Sequence, residues 1–164
     1  FDVLTTWYRY SKNMANLGIM TALVNFKQLE KRLSFYTKKA SRPLVVILLG
    51  NMTGVESFRR IASRSDMGYP VWLFVFTAEK TPNACDFCRQ PDDNPFYLSM
   101  RSEVLVSCCN STYIEEWWSK TGENTDTQKL AVWDGRKLFW MVDRALYNRR
   151  KSLEKRGLRI VIAK

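Results

Sequence analysis

Four cysteines carry the most specific chemistry of this chain: Cys85, Cys88, Cys108 and Cys109. A Cys-x-x-Cys pair followed by two more cysteines is one pattern that holds zinc, and in an oxidising compartment the same residues form disulfides. If residues 102–109 form a strand, Cys108 and Cys109 point to opposite faces, which argues against one shared ion. We therefore expect no metal and a disulfide from a loop cysteine to Cys108 or Cys109, with all three pairings open.

The residues that most enzymes need are missing or badly spaced. The chain has no histidine, so the Ser-His-Asp and Cys-His mechanisms are excluded. It has no glycine-rich phosphate loop, and we expect no cofactor. The carboxylate pairs Asp92-Asp93 and Glu115-Glu116 are adjacent in sequence, and adjacent side chains diverge, so we interpret them as solvated charges. The sequence predicts a protein that is not an enzyme.

Two Asn-x-Ser/Thr sequons are candidate glycosylation sites, at Asn51 and Asn110. Each follows an apolar run, and in each the threonine (Thr53 or Thr112) stands three residues before a glutamate. This spacing is typical of a capping box, in which the hydroxyl and the carboxylate satisfy amides of the first helical turn. We expect a strand, a turn and a capped helix at both places.

The charge balance is basic. Lys and Arg number 26 against 16 Asp and Glu, for a net charge of +10. Such a surface permits binding to nucleic acid or to an acidic partner, and a soluble basic α/β binding module is the alternative function. The densest basic run, at residues 149–156, matches no zinc-finger, RNA-recognition or homeodomain pattern, so nucleic-acid binding is not expected.

Apolar runs and helical stripes alternate along the chain. Leu44–Leu49 and Val71–Phe76 are continuous apolar runs, typical of strands covered on both faces. Shorter strands are predicted at residues 104–106, 130–133 and 158–162. Helical spacing is present at residues 22–36, 55–62 and 113–118, and residues 138–146 suit a helix or in part a strand. Residues 78–101 contain three prolines and no helical period, and predict a long irregular connection.

This alternation predicts one α/β domain with a mostly parallel sheet and flanking helices, arranged as a periplasmic-binding-protein-like lobe or partial lobe. The length of 164 residues suits one domain rather than two. No stretch approaches the roughly 20 apolar residues that a membrane-spanning helix needs. The first residue is Phe rather than Met, and we expect the chain to be a piece of a longer protein.

Six short motifs occur in a fixed order along the chain, at residues 94–98, 102–106, 114–118, 133–135, 146–153 and 157–159. This ordered set resembles the N-terminal half of arthropod chemosensory ionotropic receptors, which are relatives of the ionotropic glutamate receptors. The basic end of the set is similar to a Tyr-x-Arg-Arg-x-x-Leu-x-Gly segment of that family, with two extra residues before Gly157 here.

The resemblance implies the extracellular side of a cell-membrane cation channel. Residues 1–156 would be its extracellular N-terminal α/β region, and residues 157–164 the first strand of a ligand-binding domain that continues beyond this chain. Arg149, Arg150, Leu153 and Gly157 would form the linker to that domain. The implied partners are other receptor subunits or a co-receptor, and the small-molecule ligand would bind further along the protein.

Overall fold

The computed structural model describes residues 3–38, 42–77 and 84–150, which form one six-stranded sheet with helices against it. The elements follow in chain order: α1 Val3–Asn16, α2 Phe26–Lys38, β1 Leu44–Leu49, α3 Met52–Ala62, β2 Val71–Phe76, α4 Ala84–Arg89, β3 Glu103–Cys108, β4 Tyr113–Trp118, β5 Asp126–Trp133, β6 Leu138–Trp140 and α5 Leu146–Arg149.

The strands lie in the order of the chain, and the sheet is mixed. The pairs β1–β2 and β2–β3 are parallel, because α3 and α4 carry the chain back between them. The later three pairs are antiparallel, since connections as short as residues 109–112 and 134–137 leave no room for a crossover. The α/β class with flanking helices is confirmed, and parallel pairing is confined to the first three strands.

Aromatic rings fill the space between the helices and the inner face of the sheet, which is the face that carries Trp72 and Phe74. Phe58 of α3 is fully buried and lies 5.4 Å from the Trp72 ring, 5.1 Å from Phe74 and 5.3 Å from Phe96. These edge-to-face distances are those that aromatic pairs prefer. The buried Trp72 indole donates a hydrogen bond to the Met67 carbonyl at 3.1 Å, so its polar atom is satisfied.

The opposite, outer face of the parallel half is open among the described residues. Leu44, Val46 and Leu48 of β1 are 61%, 51% and 63% exposed, although the run predicted a strand covered on both sides. That prediction is wrong for this face. Two crossovers that advance in the same direction, β1 to β2 to β3, place α3 and α4 on the same side of the sheet.

The helix predicted at residues 113–118 is wrong, because these residues form β4. The turn before it contains Cys109 with a φ of 47°, and this left-handed residue reverses the chain toward an antiparallel strand. Consecutive side chains of residues 113–118 therefore alternate between the two faces of the sheet instead of following a helical period. The second capping box is lost with the helix.

Residues 84–101 are less irregular than predicted, since α4 occupies Ala84–Arg89 and contains the Cys-x-x-Cys pair. The ambiguous region 138–146 divides into β6 and the start of α5. The strand predicted at residues 158–162 lies outside the described residues. No helix in the described part of the chain is long and apolar enough to cross a bilayer.

Replacing Phe58 with Ala tests the aromatic core. The change removes a ring that is fully buried among three others, and we expect the free energy of unfolding to fall by about 3–5 kcal/mol. Phe139→Ala is the matched control, since Phe139 is half exposed, and it should cost less than about 1 kcal/mol. Denaturant unfolding measures both, and equal losses would contradict this account of the core.

Candidate functional site

A buried carboxylate on the outer face of the sheet holds the end of the described chain. Glu116 is 2% exposed and lies in β4 in the same row as Leu105 of β3. Its Oε1 accepts hydrogen bonds from Arg149 Nη2 at 2.8 Å and from Arg150 Nη2 at 2.7 Å, and its Oε2 accepts one from Arg149 Nε at 3.0 Å. One carboxylate therefore binds two consecutive arginines that follow it by more than thirty residues.

Backbone carbonyls complete the arginine contacts. Arg150 Nη1 donates to the carbonyl of Met100 at 2.7 Å, and Arg149 Nη1 donates to the carbonyl of Arg144. Arg150 thus joins the segment before β3 to β4 and to the end of α5. A planar guanidinium suits this position, because its donors point in several fixed directions at once.

Burial shapes the electrostatics of this cluster. Arg150 is 3% exposed, and loss of water around its guanidinium lowers its pKa from the ordinary value. The negative charge of Glu116 and its hydrogen bond oppose that shift. With two guanidinium groups against one carboxylate, the cluster carries a net positive charge within a mostly apolar face.

The indole of Trp118 forms the floor under Arg150. The guanidinium carbon lies 5.0 Å from the ring centroid, within cation–π range, and Trp118 is 5% exposed. Both Trp117 and Trp118 are therefore buried, one on each face of β4. The buried atoms Trp118 Nε1 and Arg150 Nε find no hydrogen-bond partner in the described part of the structure.

Three of the motifs that carried the family resemblance meet in this region. Residues 114–118 supply Glu116 and Trp118, and residues 146–153 supply Arg149 and Arg150. Residues 94–98 lie behind them, where the buried Phe96 ring stacks on Trp117 at 6.5 Å. Motifs far apart in sequence are thus in contact in the fold.

Two polar turns involve residues of the motifs at 94–98 and 133–135. Asn94 donates from Nδ2 to the carbonyls of Leu98 and Gly122, and its Oδ1 accepts from the amide of Leu98 at 2.8 Å. Asp134 closes the β5–β6 turn by accepting from the amides of Arg136 and Lys137, and these hydrogen bonds lower its pKa below the ordinary value. Asn94 and Asp134 therefore organise turns and reach no common site.

The cysteines form two disulfides, Cys85–Cys109 and Cys88–Cys108. The predicted link from the Cys-x-x-Cys pair to Cys108 or Cys109 is confirmed, and the structure selects one of the three pairings. The reason given against a shared ion is wrong, because the sulfurs of Cys88, Cys108 and Cys109 lie within 4.8 Å of one another. The left-handed Cys109 ends the strand alternation and turns its side chain back toward α4.

The two sequons occupy different positions. Asn51 is the N-cap of α3, and its Oδ1 accepts a hydrogen bond from the amide of Gly54 at 2.9 Å. The cap is thus Asn51 and not Thr53. Asn110 is exposed in the turn between β3 and β4.

Of the predicted linker residues, Arg149 and Arg150 form the Glu116 cluster, while Leu153 and Gly157 lie outside the described residues.

Glu116 is the site residue that the sequence analysis missed, because adjacent glutamates were interpreted as solvated. One signal was available: alternating faces in a strand separate Glu115 from Glu116, so one of the two can be buried. The glutamate directly before Trp117 and Trp118 was then the candidate for the buried partner of two consecutive arginines.

No family model, curated protein or solved structure matches this chain.

Glu116→Gln tests the arginine cluster. The change leaves two buried guanidinium groups without their counter-charge, and we expect the free energy of unfolding to fall by about 3–5 kcal/mol. Glu115→Gln is the matched control. The Glu115 side chain lies on the inner face, where it accepts a hydrogen bond from the Trp117 indole at 3.5 Å. It should cost about 1 kcal/mol or less. Comparable losses for the two variants in denaturant unfolding would mean that the cluster contributes little.

Asn51→Ala and Asn110→Ala test the roles of the two sequon residues in unglycosylated protein. Loss of the N-cap should cost about 1 kcal/mol, because the Gly54 amide loses its side-chain partner. Asn110 makes no such contact among the described residues, and its substitution should cost less than about 0.5 kcal/mol. Thermal unfolding followed by circular dichroism measures the difference, and a larger loss for Asn110→Ala would contradict the assignment.

Proposed function

We propose that this chain is the extracellular N-terminal segment of a chemosensory ligand-gated cation channel similar to the arthropod ionotropic receptors. Its roles are folding, subunit assembly and connection to a ligand-binding domain further along the protein. The observation that carries this proposal is the buried Glu116 cluster. It ties Arg149 and Arg150, which belong to the implied linker, rigidly to the sheet.

Buried contacts hold a linker more firmly than exposed ones, and the Glu116 cluster is buried. A linker held only by exposed side chains transmits little, because such contacts exchange with water at small cost. Arg149 and Arg150 instead make several charge-assisted hydrogen bonds to one buried carboxylate. A domain attached after Arg150 would therefore be positioned relative to the sheet by these contacts. Ligand-driven closure would take place in that domain, since no ligand site on this chain enters the proposal.

One further feature supports an extracellular location, and another supports subunit assembly. All four cysteines are paired in disulfides, which persist in oxidising compartments. The strip Leu44, Val46 and Leu48 is an exposed apolar surface of the kind that a partner subunit covers in an assembly.

The first test is what the native transcript encodes after Lys164. The receptor proposal requires three membrane-spanning segments and a re-entrant pore segment, placed between two halves of a ligand-binding domain. A transcript that ends there, or that continues without a membrane-spanning segment, would overturn the proposal. The basic binding module would then be the better account.

Secretion from insect cells supplies a second test and a prediction about Asn110. Expressed behind a signal peptide, the chain should leave the cell with both disulfides and with a glycan at Asn110, because that side chain is exposed in a turn. A deglycosidase should remove the mass shift, and Asn110→Gln should abolish it. Asn51→Gln should leave most of it, since the Asn51 side chain is half-buried and engaged as a helix cap.

Two outcomes would count against the extracellular assignment. One is intracellular retention of unmodified protein with reduced thiols. The other is salt-dependent retention on DNA, in which the affinity falls steeply as counterions compete for the phosphates.

In the full-length receptor, Glu116→Gln should lower the amount at the cell surface several-fold relative to Glu115→Gln, because destabilised subunits are removed before assembly. The ligand concentration that gives half-maximal current should stay within about twofold in the channels that reach the surface, since the ligand site lies elsewhere. Equal surface amounts for the two variants would contradict a role of the cluster in folding and assembly.

A further inference from the structure

The two disulfides lie against each other at one end of the sheet. Cys85 and Cys88 stand one turn apart in α4, and Cys108 and Cys109 are consecutive at the end of β3. Their Cα separations are 5.9 Å for Cys85–Cys109 and 5.7 Å for Cys88–Cys108. The four half-cystines therefore converge from only two elements.

Sulfur positions distinguish Cys109 from Cys85. The Cys109 sulfur lies within 4.8 Å of the sulfurs of both Cys88 and Cys108, which belong to the other bond. Cys85 is not a member of this close group. If the Cys85–Cys109 bond opens, the released Cys109 sulfur already lies within 4.8 Å of both sulfurs of the second disulfide.

The two disulfide bonds differ in how far solvent reaches their sulfurs. Cys88 is fully buried and Cys108 is 7% exposed, whereas Cys109 is half-buried at the turn. A thiol from solution therefore meets the Cys85–Cys109 bond more readily than the Cys88–Cys108 bond, because exchange requires access to a sulfur.

We propose that the two disulfides form a thiol-exchange site, in which Cys109 carries reducing equivalents from an external dithiol to the buried bond. In the first step the dithiol reduces Cys85–Cys109 and becomes a cyclic disulfide, leaving two thiols on the protein. In the second step the Cys109 thiolate attacks the Cys88 sulfur. A Cys88–Cys109 bond forms, the Cys88–Cys108 bond breaks, and the electron pair leaves on Cys108.

The exchange gives the chain a second crosslink pattern between the same two elements. Because both Cys108 and Cys109 lie at the end of β3, moving the bond from one to the other keeps α4 tied to the sheet. The free thiol changes, however, from the half-buried Cys109 to the buried Cys108. The partner implied by this chemistry is a dithiol, either a small molecule or a protein with two neighbouring thiols.

The serine variants Cys85→Ser and Cys109→Ser test the exchange as a matched pair, since each removes the same disulfide and leaves one thiol. In Cys85→Ser the thiol is Cys109, and acid quenching, alkylation and peptide mapping should find it on both Cys109 and Cys108. In Cys109→Ser the thiol is Cys85, outside the close group, and it should remain there. A thiol found only on Cys109 in Cys85→Ser would overturn the proposal.

The pH dependence separates exchange from a fixed mispairing during folding. Interconversion of the two species in Cys85→Ser should speed up about tenfold per pH unit below the ordinary thiol pKa, because only the thiolate attacks. A ratio that is set at folding and does not relax with pH would contradict exchange.

Wild-type protein provides a measurement that needs no variant to fold. Limited reduction with a dithiol, followed by acid quenching, should yield one-disulfide molecules in which Cys88–Cys109 accompanies Cys88–Cys108. One-disulfide molecules with only native pairings would overturn the proposal. The exchange depends on sulfur positions alone, so its failure would leave the receptor proposal untouched.

Discussion

A single buried carboxylate determines how the end of this chain meets its sheet. Moving Glu116 out of water is costly, and the cost is offset only because two guanidinium groups supply charge and directed hydrogen bonds. The requirement is mutual, since Arg150 without Glu116 would be a buried cation against an indole. This mutual dependence fixes Arg149 and Arg150 against the outer face of β4, where an apolar contact would have left their position less defined.

The sheet itself combines two construction rules. In its first half, helices return the chain and the strands are parallel; in its second half, short turns return it and the strands are antiparallel. The boundary is β3, and the disulfides stand at the end of that strand. Each disulfide closes a loop of just over twenty residues, which restricts the unfolded chain by roughly 3 kcal/mol. The disulfides therefore lie at the boundary between the parallel and the antiparallel half of the sheet.

The two faces of the sheet differ in what covers them. Helices α2 and α3 cover the inner face around Phe58, whereas the described residues cover the outer face near β4 with Arg149 and Arg150 and leave it exposed at β1. Under the proposed assembly, a partner subunit would cover the exposed part of this apolar face. Such a partner would account for the continuous apolar run Leu44–Leu49, which is typical of a strand covered on both faces.

Local sequence patterns were sufficient to predict β1, β2, α2 and α3. A long apolar run and a helical stripe of apolar side chains both depend only on residues that are close together in the sequence. They failed at residues 113–118, where aromatic and acidic residues suit a helix or a strand equally and a left-handed Cys109 made the choice. Cysteine identity predicted the disulfides, but only the approach of α4 to β3 selected their pairing. The burial of Glu116 was likewise beyond local reasoning, since its partners follow more than thirty residues later and meet it only when the sheet is complete.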